Sequence, residues 1–135
     1  MGFLSTLPRG SVLSPIVEST EEAQRAIANL GTTLYDSLTG PQREVFAAPE
    51  RFKMLCSGRR FGKTYLSIAQ LISWATAKPN SLNWYVTASY RMAKQIAWRQ
   101  LKLMVPPEIC VKRNESDLSV ELSNGSIIAL KGAEN

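Results

Sequence analysis

One stretch constrains this chain more than any other: Cys56-Ser57-Gly58-Arg59-Arg60-Phe61-Gly62-Lys63-Thr64-Tyr65. Its Gly62-Lys63-Thr64 triplet completes the phosphate-loop pattern G-x-x-x-x-G-K-[ST], but Ser57 stands where the first glycine belongs. A bare triplet arises readily by chance, so the flanks decide. A phosphate loop has to leave a buried strand and enter a helix, because only then do successive backbone N–H groups and the positive end of the helix dipole converge on one anion. Phe52–Cys56 is a short apolar run suited to that strand. Lys63–Ala77 suits the helix, with Leu66, Ile68, Ala69, Leu71, Ile72, Trp74 and Ala75 covering most of its circumference. A lysine at a helix amino terminus is disfavoured by the dipole unless an anion is present. Gly58, one residue late, can take the positive-φ turn that Ser57 resists.

Those residue types assign roles. Ser57, Gly58, Arg60, Phe61, Gly62, Lys63 and Thr64 form the candidate nucleotide cradle. The Lys63 ammonium would lie on the β- and γ-phosphates of ATP, and the Thr64 hydroxyl would complete the coordination of Mg²⁺. The paired arginines depart from the plain pattern. Charge develops on the γ-phosphate oxygens during phosphoryl transfer, and an arginine placed against them accelerates the step by on the order of 10³ to 10⁵. An arginine in the loop is therefore a candidate cis finger or γ-phosphate sensor. Replacing Arg59 in an intact enzyme is expected to lower turnover far more than ATP affinity.

The rest of the chain reads as one small domain with an added arm. Residues 1 to 17 hold two prolines and two glycines and read as loose. Ser19-Thr20-Glu21-Glu22 has capping-box spacing ahead of a short helix ending near Gly31. Thr39-Gly40-Pro41 makes a turn, with Pro41 opening a helix through about Ala48. Asn83–Ala88 is a second strand candidate, and a helix follows from about Arg91 to Met104, stopped by Pro106-Pro107. Alternation around Asn124-Gly125 signals a hairpin. The order implies an α/β unit built on a parallel pair at about 53–57 and 83–88.

With 44% apolar and 20% charged residues among 135, the chain is an ordinary globular one. Its +5 charge is unevenly spread: between Arg51 and Arg113 stand twelve Lys or Arg and one acid, Glu108, which favours a polyanionic partner. Two cysteines without ligand spacing and no histidine exclude a zinc site and suit a reducing cytosol. No apolar run is long enough to span a membrane. Residues 1–6, MGFLST, match a short myristoylation pattern that nothing else in the chain supports.

In the segments LTGPQREVFAAPERFKMLCSGRRFGKTYLSIAQLISWA, YVTASYRMAKQIAWRQLK and ELSNGSIIALKGAEN, the chain resembles the amino-terminal ATPase region of the large terminase subunit, the DNA-packaging motor of tailed bacteriophages. The deviant loop S-G-R-R-x-G-K-T of that family matches Ser57 through Thr64. Gln42 matches its upstream glutamine, which contacts adenine. Arg59 matches its cis finger, with Arg60 as the fallback, and Lys63 the loop lysine. The resemblance spans about residues 38 to 135. It implies a P-loop NTPase of the RecA/ASCE-like kind, a three-layer α/β sandwich on a mainly parallel sheet. It also implies ATP and Mg²⁺ as cofactors, double-stranded DNA as substrate, and the portal protein and small terminase subunit as partners in a homo-oligomeric ring, all in the cytoplasm of an infected bacterium.

Two parts of that pattern are missing. Neither aspartate, Asp36 or Asp117, follows an apolar run as the Mg²⁺-holding Walker B residue would, and Glu18 after Pro15-Ile16-Val17, the nearest imitation, lies in the arm before the loop. The carboxylate-rich nuclease domain is also absent. The expectation is a partial ATPase domain over 38–135, preceded by an arm and short helix over 1–37, that binds nucleotide weakly and hydrolyses it poorly. Its last hairpin would lie at an unprotected sheet edge. A fragment of a helicase-like translocase, or a small non-catalytic nucleotide- or DNA-binding module, remains an alternative.

The helix at 91–104 divides into two faces at 100° per residue. Met92, Ala93, Ile96, Ala97, Leu101, Leu103 and Met104 fill one, with Gln100 intruding. Arg91, Lys94, Gln95, Trp98, Arg99 and Lys102 fill the other. Trp98 among cations suits contact with a nucleic-acid backbone or a neighbouring subunit, or a solvated face with Trp98 packed against segments this chain lacks.

Overall fold

The computed structural model describes the backbone of residues 9–134 and side chains from Glu21 onward. The myristoylation pattern lies outside those residues. Helix α1 runs Arg9–Ser37, so the expected loose arm and the short helix after Ser19 are one continuous helix from residue 9 on. Ala23, Leu30, Leu34 and the following Leu38 are buried, a spacing that keeps one stripe of the helix on the core. Helix α2, Gly40–Ala47, begins where Pro41 was expected to start it. Helix α3, Lys63–Ala77, has the expected bounds, although Trp74 is 46% exposed.

The helical segment α4 is continuous but not uniform: an α turn over Tyr90–Met92, a π turn over Ala93–Trp98 and α again over Arg99–Met104. The wide turn overturns the expected faces. Ala93 and Trp98, five residues apart, both reach the core, as an i to i+5 repeat dictates. Ile96 and Leu103, assigned to the apolar face, are 45% and 72% exposed.

Strands β1 (Leu82–Thr87), β2 (Cys110–Asn114), β3 (Ser119–Leu122) and β4 (Ile127–Gly132) form one sheet in the order β1-β4-β3-β2. Only β1 and β4 are parallel, in the register Leu82↔Ile127 to Thr87↔Gly132. The other two pairs are antiparallel, so the fold is mixed α/β with a mixed sheet rather than a mainly parallel one. Residues 53–58 form no strand, and the parallel partner of the strand near 83 is β4.

The hairpin β3–β4 forms as expected, yet it is not at an edge. β4 lies inside the sheet with Ile128, Ala129 and Leu130 all buried, and the outer strands are β1 and β2. The Asn124 side chain donates 2.8 Å to Ala75 O, capping the carboxyl end of α3, so tertiary packing as well as turn chemistry fixes this turn. Nearby, Ser126 is fully buried. Its hydroxyl donates to Lys78 O at 2.8 Å and lies 3.2 Å from Ser81 N, which donates to it.

One core cluster joins Leu30, Leu34 and Leu38 to α3, to Ala97, Trp98 and Leu101, and to Val120, Leu122, Ile128 and Leu130 of the sheet. α3 enters this core directly after the Ser57–Gly62 loop, which gives the loop a rigid base. Among the described residues no helix is long and apolar enough to cross a membrane.

Candidate functional site

The loop turns at Arg59-Arg60 and again at Gly62. Gly58 does not supply the positive-φ turn; Arg60 does, at φ 64°, and Gly62 follows at φ 86°. Arginine tolerates the left-handed region poorly, since its Cβ crowds the backbone there. Gly62 is required on two counts. Its φ favours glycine, and an added Cβ would run into the Gln42 side-chain nitrogen.

Gln42 is the residue that seats the loop. It is 5% exposed and occupies the third position of α2. Its side-chain oxygen accepts from Thr39 N at 2.9 Å, the reach-back half of a capping box. Its Nε2 donates to Phe61 O at 2.7 Å and to Gly62 O at 3.3 Å. Thr39 is the partner sequence reasoning missed, although the spacing Thr39-x-x-Gln42 carried the signal.

Lys63 is exposed and its Nζ donates to Ser57 O at 2.8 Å, closing the loop across its mouth. The Ser57 hydroxyl is enclosed and has no hydrogen-bond partner among the described residues. The backbone N–H groups of Gly62, Lys63 and Thr64 have no backbone acceptor among the described residues, as the first turn of a helix requires. Leu66 N is the first to be satisfied, by Gly62 O at 3.0 Å.

Arg59, Arg60 and Lys63 therefore place three cations within five residues, with Arg59 and Arg60 exposed. The one ion pair among the described residues, Lys102 with Glu115 at 3.2 Å, lies elsewhere, so no described carboxylate pairs with a cation of the loop. Thr64 and Phe61 are half-buried on the same turn. No group of three or more acidic, thiol or imidazole side chains gathers to hold a metal among the described residues. A divalent ion would therefore depend on phosphate oxygens, with the Thr64 hydroxyl as a protein ligand, which is a common arrangement for Mg²⁺.

Two other cations of the basic block, Lys53 and Lys102, make structural contacts. Lys53 Nζ donates to Val45 O at 2.9 Å and Phe46 O at 3.2 Å, capping α2, and to the Gln70 side chain. On α4, Trp98 is buried and its indole N–H donates to Glu115, while Lys102 lies 5.4 Å from the ring centroid. The indole bond is the largest influence holding the Glu115 carboxyl below the usual range; loss of hydration opposes it, and Lys102 and Lys94 add to the lowering. Arg91, Lys94 and Arg99 remain exposed on this helix. Trp98 is thus a core residue and not an aromatic presented to a partner.

Compared with family models, with curated proteins and with solved structures, the chain matches none of them.

Proposed function

We propose that the loop Ser57–Thr64 binds the phosphates of ATP, and that the chain is the ATP-binding part of a viral DNA-packaging motor of the large terminase kind. The observation that carries the first half is the loop's geometry: Lys63 curled back over Ser57 O beside the unpaired N–H groups of Gly62, Lys63 and Thr64. An anion entering there gains charge-assisted hydrogen bonds and the helix dipole together. Lys63 then exchanges a carbonyl for a phosphate oxygen, and Mg²⁺ arrives with the nucleotide. Arg59 serves the γ-phosphate, with Arg60 as the alternative.

The second half rests on the resemblance in loop, glutamine and hairpin order. In that reading the protein couples ATP hydrolysis to movement of double-stranded DNA into a procapsid, as a ring docked on the portal with the small terminase subunit, in the host cytoplasm. Arg91, Lys94 and Arg99, exposed along α4, are the cations this reading sets against a DNA backbone.

Titration calorimetry with Mg-ATP on the purified chain and on Lys63→Ala tests the nucleotide site. Binding by the first, weakened about tenfold or more in the second, is expected. Equal behaviour of the two overturns it. The motor reading is tested by sequencing the source DNA beyond the Asn135 codon. An open frame carrying an apolar run ending in Asp-Glu and then an acid-rich segment is expected, and a continuation into a second helicase-like domain would point to another translocase.

A further inference from the structure

Gln42 is positioned to act on phosphates rather than on a base. Its side-chain Nε2 donates to Phe61 O at 2.7 Å and to Gly62 O at 3.3 Å, and its oxygen accepts from Thr39 N at 2.9 Å. At 5% exposure it offers a base little surface. No peptide bond among the described residues is cis, so each N–H points opposite to the carbonyl of its own plane. The plane carrying Phe61 C=O also carries Gly62 N–H, and the plane carrying Gly62 C=O also carries Lys63 N–H. By holding those two carbonyls, Gln42 aims two successive amides away from its own side chain. Hydrogen bonding at a carbonyl also polarises its peptide, which strengthens the opposite N–H as a donor.

We propose that Gln42 is a positioning residue for the phosphate-binding amides of Gly62 and Lys63, and that it contributes to triphosphate affinity independently of the base. The inference rests on the nucleotide reading of the loop. It also gives Gly62 a second task, since any side chain there would displace the Gln42 amide.

The test uses three probes: Mg-ATP, Mg-GTP and inorganic tripolyphosphate. In Gln42→Met, close in volume and without the amide, affinity for all three is expected to fall by the same factor, about tenfold, with the ATP-to-GTP ratio unchanged. Gln42→Glu, which keeps the acceptor for Thr39 and sets a carboxylate against the two carbonyls, is expected to fall at least as far. A loss confined to ATP, or tripolyphosphate affinity unchanged in either variant, overturns the proposal.

A measurement on the unmodified chain covers the case in which neither variant folds. By NMR, tripolyphosphate and ATP are expected to shift the backbone amides of Gly62 and Lys63 and to move the Gln42 side-chain NH₂ equally. A Gln42 shift with ATP alone assigns the residue to the base and overturns the proposal. Failure of the unmodified chain to bind any of the three probes removes the nucleotide reading itself, an outcome distinct from a Gln42 effect on the base alone.

Discussion

Lys63 Nζ lies 2.8 Å from the carbonyl oxygen of Ser57, so this cation of the loop is held by the loop's own backbone. The bond is exposed and joins residues six apart, which limits its worth to the fold. Lys63 also stands at the positive end of the α3 dipole, where a cation is unfavourable by a few tenths of a kcal/mol to about 1 kcal/mol. Lys63→Ala is expected to leave the thermal midpoint unchanged or slightly raised while ATP affinity falls. A melting curve beside a binding isotherm checks the pair, and a large drop in midpoint would mean the lysine is structural.

Gly58 and Gly62 should respond oppositely to alanine. Gly58 has no positive φ and an added Cβ would meet nothing within 4 Å, so Gly58→Ala is expected to stabilise by about 0.4 to 1 kcal/mol through the unfolded chain. Gly62→Ala meets both φ 86° and the Gln42 amide, and a loss of about 2 kcal/mol or more is expected. Urea midpoints of the two variants decide it, and equal effects would place the loop's obligatory turn elsewhere.

Glu115 gives the fold a dependence on acid. Its carboxyl is held below the usual value, chiefly by the Trp98 indole N–H, so it binds its proton less readily folded than unfolded. Its contribution is thus complete above the unfolded value of about 4.3 and is lost as pH falls through the lower folded one. The stability gap between the native chain and Glu115→Gln is expected to narrow below about pH 4.3, with Trp98 emission shifting over the same window. A gap that is constant from pH 3 to pH 7 would disprove the coupling.

Ser126→Ala is expected to cost about 1 to 3 kcal/mol although only one oxygen is removed. The change leaves Lys78 O and Ser81 N short of a partner inside the joint between α3, β1 and the β3–β4 turn. Thermal unfolding measures the loss. Substitution without effect would mean water satisfies both groups.

The helices α2 and α3 were legible because their signals are local: Pro41 at one start, a periodic apolar stripe in the other. The hairpin was legible from Asn124-Gly125 for the same reason. The strand expected at 53–57 does not form, since an apolar run reports a tendency to be covered and does not say whether a neighbour offers backbone partners. α4 was misread at Trp98 because a face assigned at 100° per residue fails wherever a π turn adds a residue. In the loop, Gly62, Lys63 and the Arg59-Arg60 pair were readable as types. That Arg60 rather than Gly58 bears the positive φ has no local signal, and the contact by which Gln42 holds Phe61 O joins residues 19 apart in sequence.

The parallel pairing of β1 with β4 sets an order on assembly. Ser81 and Ser126, hydrogen-bonded at the start of that pair, are separated by 45 residues, and β4 lies between β1 and β3. On a ribosome, therefore, helices α1 to α4 and the strands β1 to β3 all emerge before the strand that unites them. Until residue 127 is available β1 has no partner strand, and the apolar faces of α3 and α4 wait without the β4 residues that complete their shared core. Until β4 appears, a nascent chain of this design exposes apolar surface that chaperones or the ribosome surface can protect.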